Sequence, residues 1–346
     1  MTSLSFSDKV RVSLCMIVKN ESHCIRRLLD RYRVSLDAVT IVDTGSTDNT
    51  VQIIEDFLKE TGICGIVESR KWYGFHIDRN FSLSLNSRVL RKYYQLPLTG
   101  PLTAEEYART QEHVWYAHIT DADNIPIRND AGHFTEDEIE GTSTDLGPFN
   151  IKDHILETGE ADSYDIELRQ GGTSYGHKGL ITSNVLLTHG YAYYCPVHEY
   201  KTSRGITKST TFKMLKGFHI ASGRYGDRSR NPVKFQEDAL ILQKMLLMKK
   251  VDPEDVDRCT FYLAQSLKDA GVYDESIKHY RKRAEMETGW HDERYISRIR
   301  IASLIDFTSG SLDGGIPREL IESRKLMEYH KAYQICTDRR EAAVSL

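Results

Sequence analysis

The chain has 346 residues, 40% of them hydrophobic and 28% charged, which is ordinary for a globular protein long enough for two domains. A formal net charge of −4 argues against a general nucleic-acid binder, because neutralising a phosphate backbone needs a basic excess. No stretch approaches the ~18 apolar residues of a membrane span, and residues 1–10 lack the apolar core of a signal peptide. Six scattered cysteines without a C-x-x-C pair indicate reduced thiols, so we expect a cytoplasmic protein without disulfides or a zinc site.

Apolar runs alternate with helical patterns through the first third of the chain. The runs predict strands over residues 10–18, 38–42, 62–68 and 114–119. The apolar spacing between them predicts helices over residues 22–33, 77–94 and 104–112, with a further helix capped by Ser46 or Thr47. The stretch from Val12 to Val51 therefore joins two buried strands through a crossover helix to a hydroxyl-rich, acidic loop. Such a unit is typical of an α/β domain with a nucleotide site at the carboxyl ends of its strands.

The middle of the chain predicts more strands and one long loop. Residues 163–200 and 211–220 show strand patterns, with a turn at Gly171–Gly172. Residues 129–160 are polar and show little periodicity, so we predict a long loop or lid there.

Helical patterns dominate the chain from about residue 229, which predicts two domains, 1–228 and 229–346. The predicted helices cover residues 232–249, 253–270, 274–287, 293–307 and 317–333. Within them a single hairpin has the spacing of a tetratricopeptide-type helix pair, at Leu263, Ala264, Leu267, Gly271, Ser276 and Tyr280. Because a solenoid needs about three repeats, we predict a helical tail with one repeat-like hairpin and a plausible homodimer surface.

Two carboxylates follow the predicted strand at 114–119. Asp121 and Asp123 flank Ala122, so both emerge at the carboxyl end of a buried strand. Two carboxylates one residue apart can hold a hard divalent cation that keeps positions for phosphate oxygens. A D-x-D pattern alone also fits a solvated acidic turn, and only its place after a buried strand favours the metal site.

Other polar residues end neighbouring predicted elements. Asp43 ends the second strand and could accept hydrogen bonds from a base or ribose, or simply cap a tight turn. Asn20 and Glu21 follow the first strand, with the same capping alternative. Arg79 could pair with phosphate or orient Asp121, although a surface arginine is the simpler interpretation.

Two further residues could act as a base and a ligand. Glu199, in P-V-H-E-Y at 196–200, could deprotonate an acceptor hydroxyl, with His198 orienting it. His219 could offer a neutral imidazole as a third metal ligand, although a lone histidine is more often structural.

Together these motifs resemble inverting, nucleotide-sugar-dependent glycosyltransferases of family 2, which have the GT-A fold. The residues that carry the resemblance lie at 15–21 (C-M-I-V-K-N-E), 41–50 (I-V-D-T-G-S-T-D-N-T), 72–81 (W-Y-G-F-H-I-D-R-N-F), 120–124 (T-D-A-D-N), 196–200 and 217–220 (G-F-H-I). The resemblance covers nearly the whole chain, and members of one subgroup carry a helical, repeat-bearing tail. It implies a catalytic domain with a mixed, mostly parallel sheet and flanking helices over residues 1–228.

The resemblance also implies site roles. Asp43 would contact the nucleotide base, and Arg79 would face the nucleotide or the D-x-D motif. Asp121 would reach the ribose and metal, Asp123 would ligate the metal, and His219 would complete its shell. The rest of the donor pocket would be lined by Val18, Asn20, Glu21 and Ala122. Glu199 would be the catalytic base.

The implied reaction moves a sugar from a nucleotide-diphosphate donor, with UDP-sugar favoured over GDP- or TDP-sugar, using Mn²⁺ or Mg²⁺. The acceptor would be a glycan, a lipid-linked molecule or a protein. The chain departs from the family pattern at residues 97–113 and 129–160, which look like insertions beside the acceptor cleft. Asp165 and Glu167 compete with Glu199 for the role of base.

Two other functions fit the sequence. A nucleotidyltransferase would make the activated sugar, but it usually has a glycine-rich loop after the first strand, where this chain has K-N-E-S. A scaffold protein would bind the sugar nucleotide without transfer, and the intact D-A-D and H-E pairs count against it.

Overall fold

The N-terminal part of the chain builds a mixed sheet covered by helices. The computed structural model describes residues 5–130, 146–170, 173–182, 191–204, 211–222, 226–308 and 316–336. The strands are β1 Val10–Val18, β2 Ala38–Asp43, β3 Cys64–Ser69, β4 Val114–Ile119, β5 Asn124–Arg128, β6 Ser163–Gln170, β7 Thr173–Thr182, β8 Tyr191–Tyr194, β9 Tyr200–Ser203, β10 Phe212–Met214 and β11 Phe218–Ser222. The accompanying helices are α1 Phe6–Lys9, α2 Ile25–Tyr32, α3 Thr50–Thr61, α4 Phe75–Tyr93, α5 Ala104–Thr110, α6 Ile151–Thr158 and α7 Asp227–Arg230.

Within the described residues the main sheet has nine strands, in the order β3-β2-β1-β4-β7-β6-β11-β5 with β10 beside β6. Strands β1 to β4 pair in parallel, β7 runs antiparallel to β4 and β6, and β5 runs antiparallel to β11. Strands β8 and β9 form a separate two-stranded sheet. The predicted fold class, a GT-A-like domain with a mixed, mostly parallel sheet and flanking helices, is confirmed.

Burial on both faces explains why the central strands are continuous apolar runs. Every residue of β2 is buried, as expected for a parallel strand covered by helices on both sides. One face packs against α2 through Leu28, Leu29 and Tyr32. The other face packs against α4, where Leu83 and Val89 reach the sheet.

The structure corrects two predictions in the second half of the sheet. The predicted loop at 129–160 contains helix α6, whose residues Ile151 and Ile155 are buried one turn apart and whose first turn is capped by Asn150. Residues 131–145 of that loop, like the turn at Gly171–Gly172, lie outside the described residues. The single strand predicted at 211–220 is two strands, because Gly217 between them adopts φ +85°.

The C-terminal part is helical, as predicted. Its α-helices are α8 Lys234–Leu247, α9 Val256–Asp269, α10 Tyr273–Glu285, α11 His291–Leu304 and α12 Arg318–Ile335. Consecutive helices pack on one another, and in the predicted hairpin the Ser276 hydroxyl donates to the Ala264 carbonyl (2.7 Å) beside the buried Tyr280. The tetratricopeptide character of this hairpin stays a prediction.

The chain divides into two compact units. One contains Met1–Tyr193 and Lys201–Arg230, and the other contains Tyr194–Tyr200 and Asn231–Leu346. The short segment joins the helical unit because Cys195 and Val197 bury their side chains among residues of α8 and α9. Among the described helices, none is long and apolar enough to cross a membrane.

Candidate functional site

Parallel pairing of the strands brings together, at one edge of the sheet, the residues of the first unit that are predicted to bind the nucleotide sugar. Val18, the last residue of β1, pairs with Asp43, the last of β2, and Cys15 pairs with Ile119 at the end of β4. The loops after these three strands therefore leave the sheet side by side. They carry Asn20 with Glu21, Asp43 itself, and the D-A-D motif.

Side chains fasten the loop after β1 to the loop after β2. Asn20 adopts φ +54°, a left-handed conformation that asparagine tolerates, and its Oδ1 accepts from the Thr47 amide (2.8 Å). The Asn20 amide in turn donates to Ser46 Oγ (2.9 Å). Asp43 is 3% exposed, and its carboxylate accepts from the backbone amides of Gly45 (3.4 Å) and Ser46 (3.0 Å). Asp43 therefore shapes its own loop, and its contact with a nucleotide base stays a prediction.

Arg79 and Asp121 form a direct ion pair at this edge. An Arg79 guanidinium nitrogen donates to Asp121 Oδ1 at 2.8 Å, and the Arg79 side chain is only 14% exposed. Burial disfavours ionisation of Asp121, but Arg79 outweighs it and holds the pKa of this carboxyl below its usual value. Of the two roles predicted for Arg79, the geometry matches the one that orients Asp121.

Asp123 and Glu21 are brought together around Gly226. A Cβ atom at Gly226 would lie 3.0 Å from Asp123 Oδ2 and 3.3 Å from Glu21 Oε1, so a side chain there would fill the space between the carboxylates. The Gly226 amide donates to Asp123 (3.2 Å), and the Asp227 amide donates to Glu21 (3.3 Å). A side chain at position 226 would therefore crowd both carboxylates, and glycine avoids this contact.

The two carboxylates have raised pKa values. Burial, with the charge of Asp121, raises the pKa of Asp123 to about 6. Burial, with the charge of Asp123, raises the pKa of Glu21 to about 7. Such like-charged oxygens are the donor set that Mg²⁺ or Mn²⁺ prefers, so these residues fit a hard divalent cation.

Another possible ligand group overlaps with Glu21. The ligand atoms of Glu21, His23 and Cys24 lie within 4.8 Å of one another. However, the Cys24 thiol donates to Glu21 Oε2 (3.2 Å), and burial together with the charge of Glu21 raises the pKa of this thiol. In this arrangement the Cys24 thiol serves as a hydrogen-bond donor to Glu21.

His219 lies on β11, beside the strand that follows Asp123. His219 pairs with Ile127, whereas the residue after Asp123 pairs with Ser222 at the far end of β11. Three strand residues separate the two positions by about 10 Å along the backbone, and the role of His219 as a third metal ligand stays a prediction. The His219 ring nitrogen Nδ1 instead lies 2.9 Å from Asn129 Oδ1.

Glu199 belongs to the segment grouped with the helical unit. The ring of the preceding residue, His198, stacks on Tyr262 with centroids 4.1 Å apart. Arg258 also donates to the His198 carbonyl at 3.0 Å. Both contacts tie the backbone next to Glu199 to helix α9, and its role as base stays a prediction.

The competing carboxylates lie on β6. Arg169 (2.8 Å) and Ser174 (2.9 Å) donate to Glu167, and the bond from Arg169 lowers the pKa of this carboxyl. An ion-paired carboxylate is a weaker base, which disfavours Glu167. In the described part of the chain, buried Oδ1 of Asp165 has no hydrogen-bond partner. Glu167 also lines an open cavity of about 300 Å³, together with Asn129, Ser174, Tyr175, Met214 and Phe218.

Sequence reasoning missed the polar residues that surround Asp121. His177 on β7 and Lys201 on β9 lie beside the Arg79–Asp121 pair, and the Lys201 ammonium is 3.3 Å from His177 Nε2. The sequence contained no local signal for either residue, because His177 reaches this edge through the pairing of β7 with β4 and Lys201 lies on a strand of the separate two-stranded sheet.

One segment of the chain matches a protein-family model. Residues 13–85 match the model described as glycosyl transferase family 2, and this segment runs from β1 into α4. It includes Asn20, Glu21, Asp43 and Arg79 but ends before the D-A-D motif. No curated protein matches the chain.

Similar solved structures include S. aureus TarS and its fragment 1-349 in complex with UDP. The first is 12% identical with a TM-score of 0.37, and the match covers 97% of this chain but only 54% of that chain. The second is 12% identical with a TM-score of 0.35 and covers 94% and 88%. These TM-scores lie below the range in which a shared fold can be argued. The chain thus contains a segment that matches glycosyl transferase family 2, and this segment supplies strands β1 to β3 of the main sheet.

Proposed function

We propose that the protein is an inverting, metal-dependent glycosyltransferase of the hexosyltransferase type. It would move a sugar from a nucleotide-diphosphate donor, most simply a UDP-sugar, to an acceptor hydroxyl. The observation that carries this proposal is the arrangement of Glu21 and Asp123 around Gly226, next to the Arg79–Asp121 pair. This arrangement lies where the strands of the family-matched segment end.

Asp123 and Asp121 would hold a divalent cation, with Glu21 as the nearest further carboxylate. A bound Mn²⁺ or Mg²⁺ supplies Lewis-acid stabilisation of a diphosphate leaving group. Arg79 keeps Asp121 ionised and fixes its direction. The amide of Gly226 holds the Asp123 carboxylate in place before any ligand binds.

The nucleoside would lie against the loops after β1 and β2. Asp43 would accept hydrogen bonds from the base, and the backbone of Val18 to Asn20 would shape the pocket. Ala122, between the two aspartates, is 4% exposed and packs in the core.

Glu199 would act as general base on the acceptor hydroxyl. Attack of the resulting oxygen on the anomeric carbon, with departure of the nucleoside diphosphate, inverts that carbon. This role comes from the family resemblance, and the ion pairing of Glu167 counts against that competitor.

The experiment combines calorimetric titration of UDP in Mn²⁺ with hydrolysis of a panel of nucleotide sugars. Asp123→Asn should weaken binding of UDP with Mn²⁺ at least ~10-fold, because a metal-bridged phosphate contact is worth more than ~1.4 kcal/mol. The control is Asp56→Asn on the exposed face of α3, which should bind like the wild type.

Three results would contradict the proposal in different ways. Equal binding by Asp123→Asn would refute the metal role. Binding without hydrolysis or transfer of any nucleotide sugar would favour a scaffold. Formation of a sugar nucleotide from a nucleoside triphosphate and a sugar phosphate would favour a nucleotidyltransferase.

A further inference from the structure

A second group of polar residues lies beside Asp121, contributed by strands distant in sequence. His118 on β4 pairs with Leu180 on the antiparallel strand β7. Asp121 lies three residues after His118 and His177 lies three residues before Leu180, so both reach the same edge. The Lys201 ammonium on β9 lies 3.3 Å from His177 Nε2.

The hydrogen bond between these two residues has a defined direction. The positive charge of Lys201, together with burial, lowers the pKa of His177 to about 3. His177 is therefore neutral at physiological pH, and its Nε2 accepts a hydrogen bond from the Lys201 ammonium group. The histidine thus positions the lysine without adding a second positive charge.

Arg79 and Lys201 both approach the ring of Tyr193. The centre of the Arg79 guanidinium and the Lys201 ammonium each lie 5.5 Å from the centroid of the Tyr193 ring, a distance at which cations are attracted to aromatic rings. Tyr193 is 5% exposed, so its ring cannot move freely.

Asn80 holds the Tyr193 backbone at this place. Asn80 Nδ2 donates to the Tyr193 carbonyl (2.9 Å), and Asn80 Oδ1 accepts from the Tyr193 amide (2.7 Å). Helix α4 thus provides both Arg79, which directs Asp121, and Asn80, which fixes the backbone of the residue whose ring contacts both cations.

We propose that Lys201, positioned by His177 and Tyr193, binds the phosphate oxygens of the donor's diphosphate. This inference rests on the proposed function, because it takes Asp121 and Asp123 as the site of the diphosphate. Lysine binds phosphate as a mobile point charge. Lys201 is partly exposed, and it lies close enough to Asp121 for its charge to lower the pKa of that carboxyl. The same ammonium group stabilises the negative charge that develops on the leaving diphosphate.

The first test compares nucleoside with nucleoside diphosphate in Lys201→Met, Lys201→Arg and the wild type. Lys201→Met should weaken UDP binding about 10- to 100-fold, the value of a charge-assisted hydrogen bond, and change uridine binding less than about 3-fold. Lys201→Arg should recover most of the UDP affinity. Affinities are measured by calorimetry for UDP and by ligand-observed NMR for uridine, at constant Mn²⁺, with Lys59→Met on exposed α3 as control.

A second measurement uses the unaltered protein, so it does not depend on the folding of a variant. UDP should protect Lys201 from acetylation by acetic anhydride several-fold, as read by peptide mass spectrometry, while uridine should not protect it. The acetylation of Lys59 should be the same with either ligand.

The failures are distinguishable. If the wild type binds no nucleoside diphosphate of the uridine, guanosine or thymidine series, the proposed function fails and this inference fails with it. If the wild type binds UDP, but Lys201→Met binds it equally well and UDP gives no protection, only the role of Lys201 is refuted. An equal loss of UDP and uridine affinity in a folded Lys201→Met protein would show a structural role instead.

Discussion

Replacing Glu21 with glutamine is predicted to stabilise the metal-free protein at pH 8 and to weaken its binding of Mn²⁺. Burial and the charge of Asp123 raise the pKa of Glu21 from 4.5 to about 7 in the folded protein. Hydrogen bonds from the Cys24 thiol and the Asp227 amide favour the charged form but are outweighed. The charged carboxylate is therefore less favourable in the folded chain than in the unfolded chain.

The pH dependence follows from the direction of this shift. Below pH 4.5 Glu21 is protonated in both states and has no effect on stability. As the pH rises from 4.5 to 7 the unfolded chain loses its proton first, so Glu21 progressively destabilises the folded state. The full penalty is present above pH 7. A shift of this size corresponds to about 3 kcal/mol at ~1.4 kcal/mol per pKa unit.

The expected gain from Glu21→Gln is smaller than this penalty. Glutamine accepts a weaker hydrogen bond from Cys24 than a carboxylate does, which offsets part of the gain. We expect a gain of ~1–2 kcal/mol at pH 8, seen as a rise of a few degrees in Tm, and a gain of less than ~0.5 kcal/mol at pH 5.

The assay is thermal unfolding in EDTA at pH 5 and pH 8, for the wild type, Glu21→Gln and the exposed control Glu55→Gln. It is repeated with Mn²⁺, which should raise the Tm of the wild type more at pH 8 than at pH 5.5, because the ion must displace protons from Glu21 and Asp123. Glu21→Gln should lose most of that increase. A variant that is less stable than the wild type by the same amount at both pH values would refute the reasoning.

Two further predictions concern the base and the helical unit. Glu199→Gln should abolish sugar transfer while leaving donor affinity within about 3-fold, measured by product formation and calorimetry, because glutamine cannot accept the acceptor's proton; retained turnover would move the role to another carboxylate. Arg283→Met should cost ~3–5 kcal/mol of stability in chemical unfolding. The side chains of Arg283 and its partner Glu293, 3.0 Å apart, are 0% and 2% exposed, so the variant leaves the Glu293 carboxylate buried without this partner. Exposed Arg318→Met is the control, and an equal loss in both variants would contradict the argument.

Local sequence patterns were sufficient for the parallel core. The strands at Val10–Val18 and Val114–Ile119 have the predicted bounds, because long apolar runs with polar ends have few alternative conformations. Helix α6 could not be recognised in the same way. It has eight residues, and its buried face is formed by only a few positions, so the surrounding polar residues hide its period.

The residues of the candidate site also fall into two groups, those placed by local sequence patterns and those placed by pairing between distant strands. The residues predicted from motifs, Asn20, Glu21, Asp43, Asp121 and Asp123, each follow a strand of the parallel core, so chain order alone brings them to one edge. Chain order alone does not place His219, because the antiparallel register of β11 and β5 sets its position relative to Asp123. A register cannot be read from the spacing of one strand.

The sequence by itself determined an α/β domain with a helical tail and an acidic edge, since the burial of apolar runs and the chemistry of strand ends are local properties. Only the tertiary structure decided what surrounds Asp121. Arg79 comes from a helix, and His177 and Lys201 come from antiparallel strands that follow it in the chain. Gly226, whose amide donates to Asp123 beside Glu21, is more than 100 residues away from Asp123 in the sequence. These contacts depend on strand pairing between distant segments, and for that reason no local pattern encodes them.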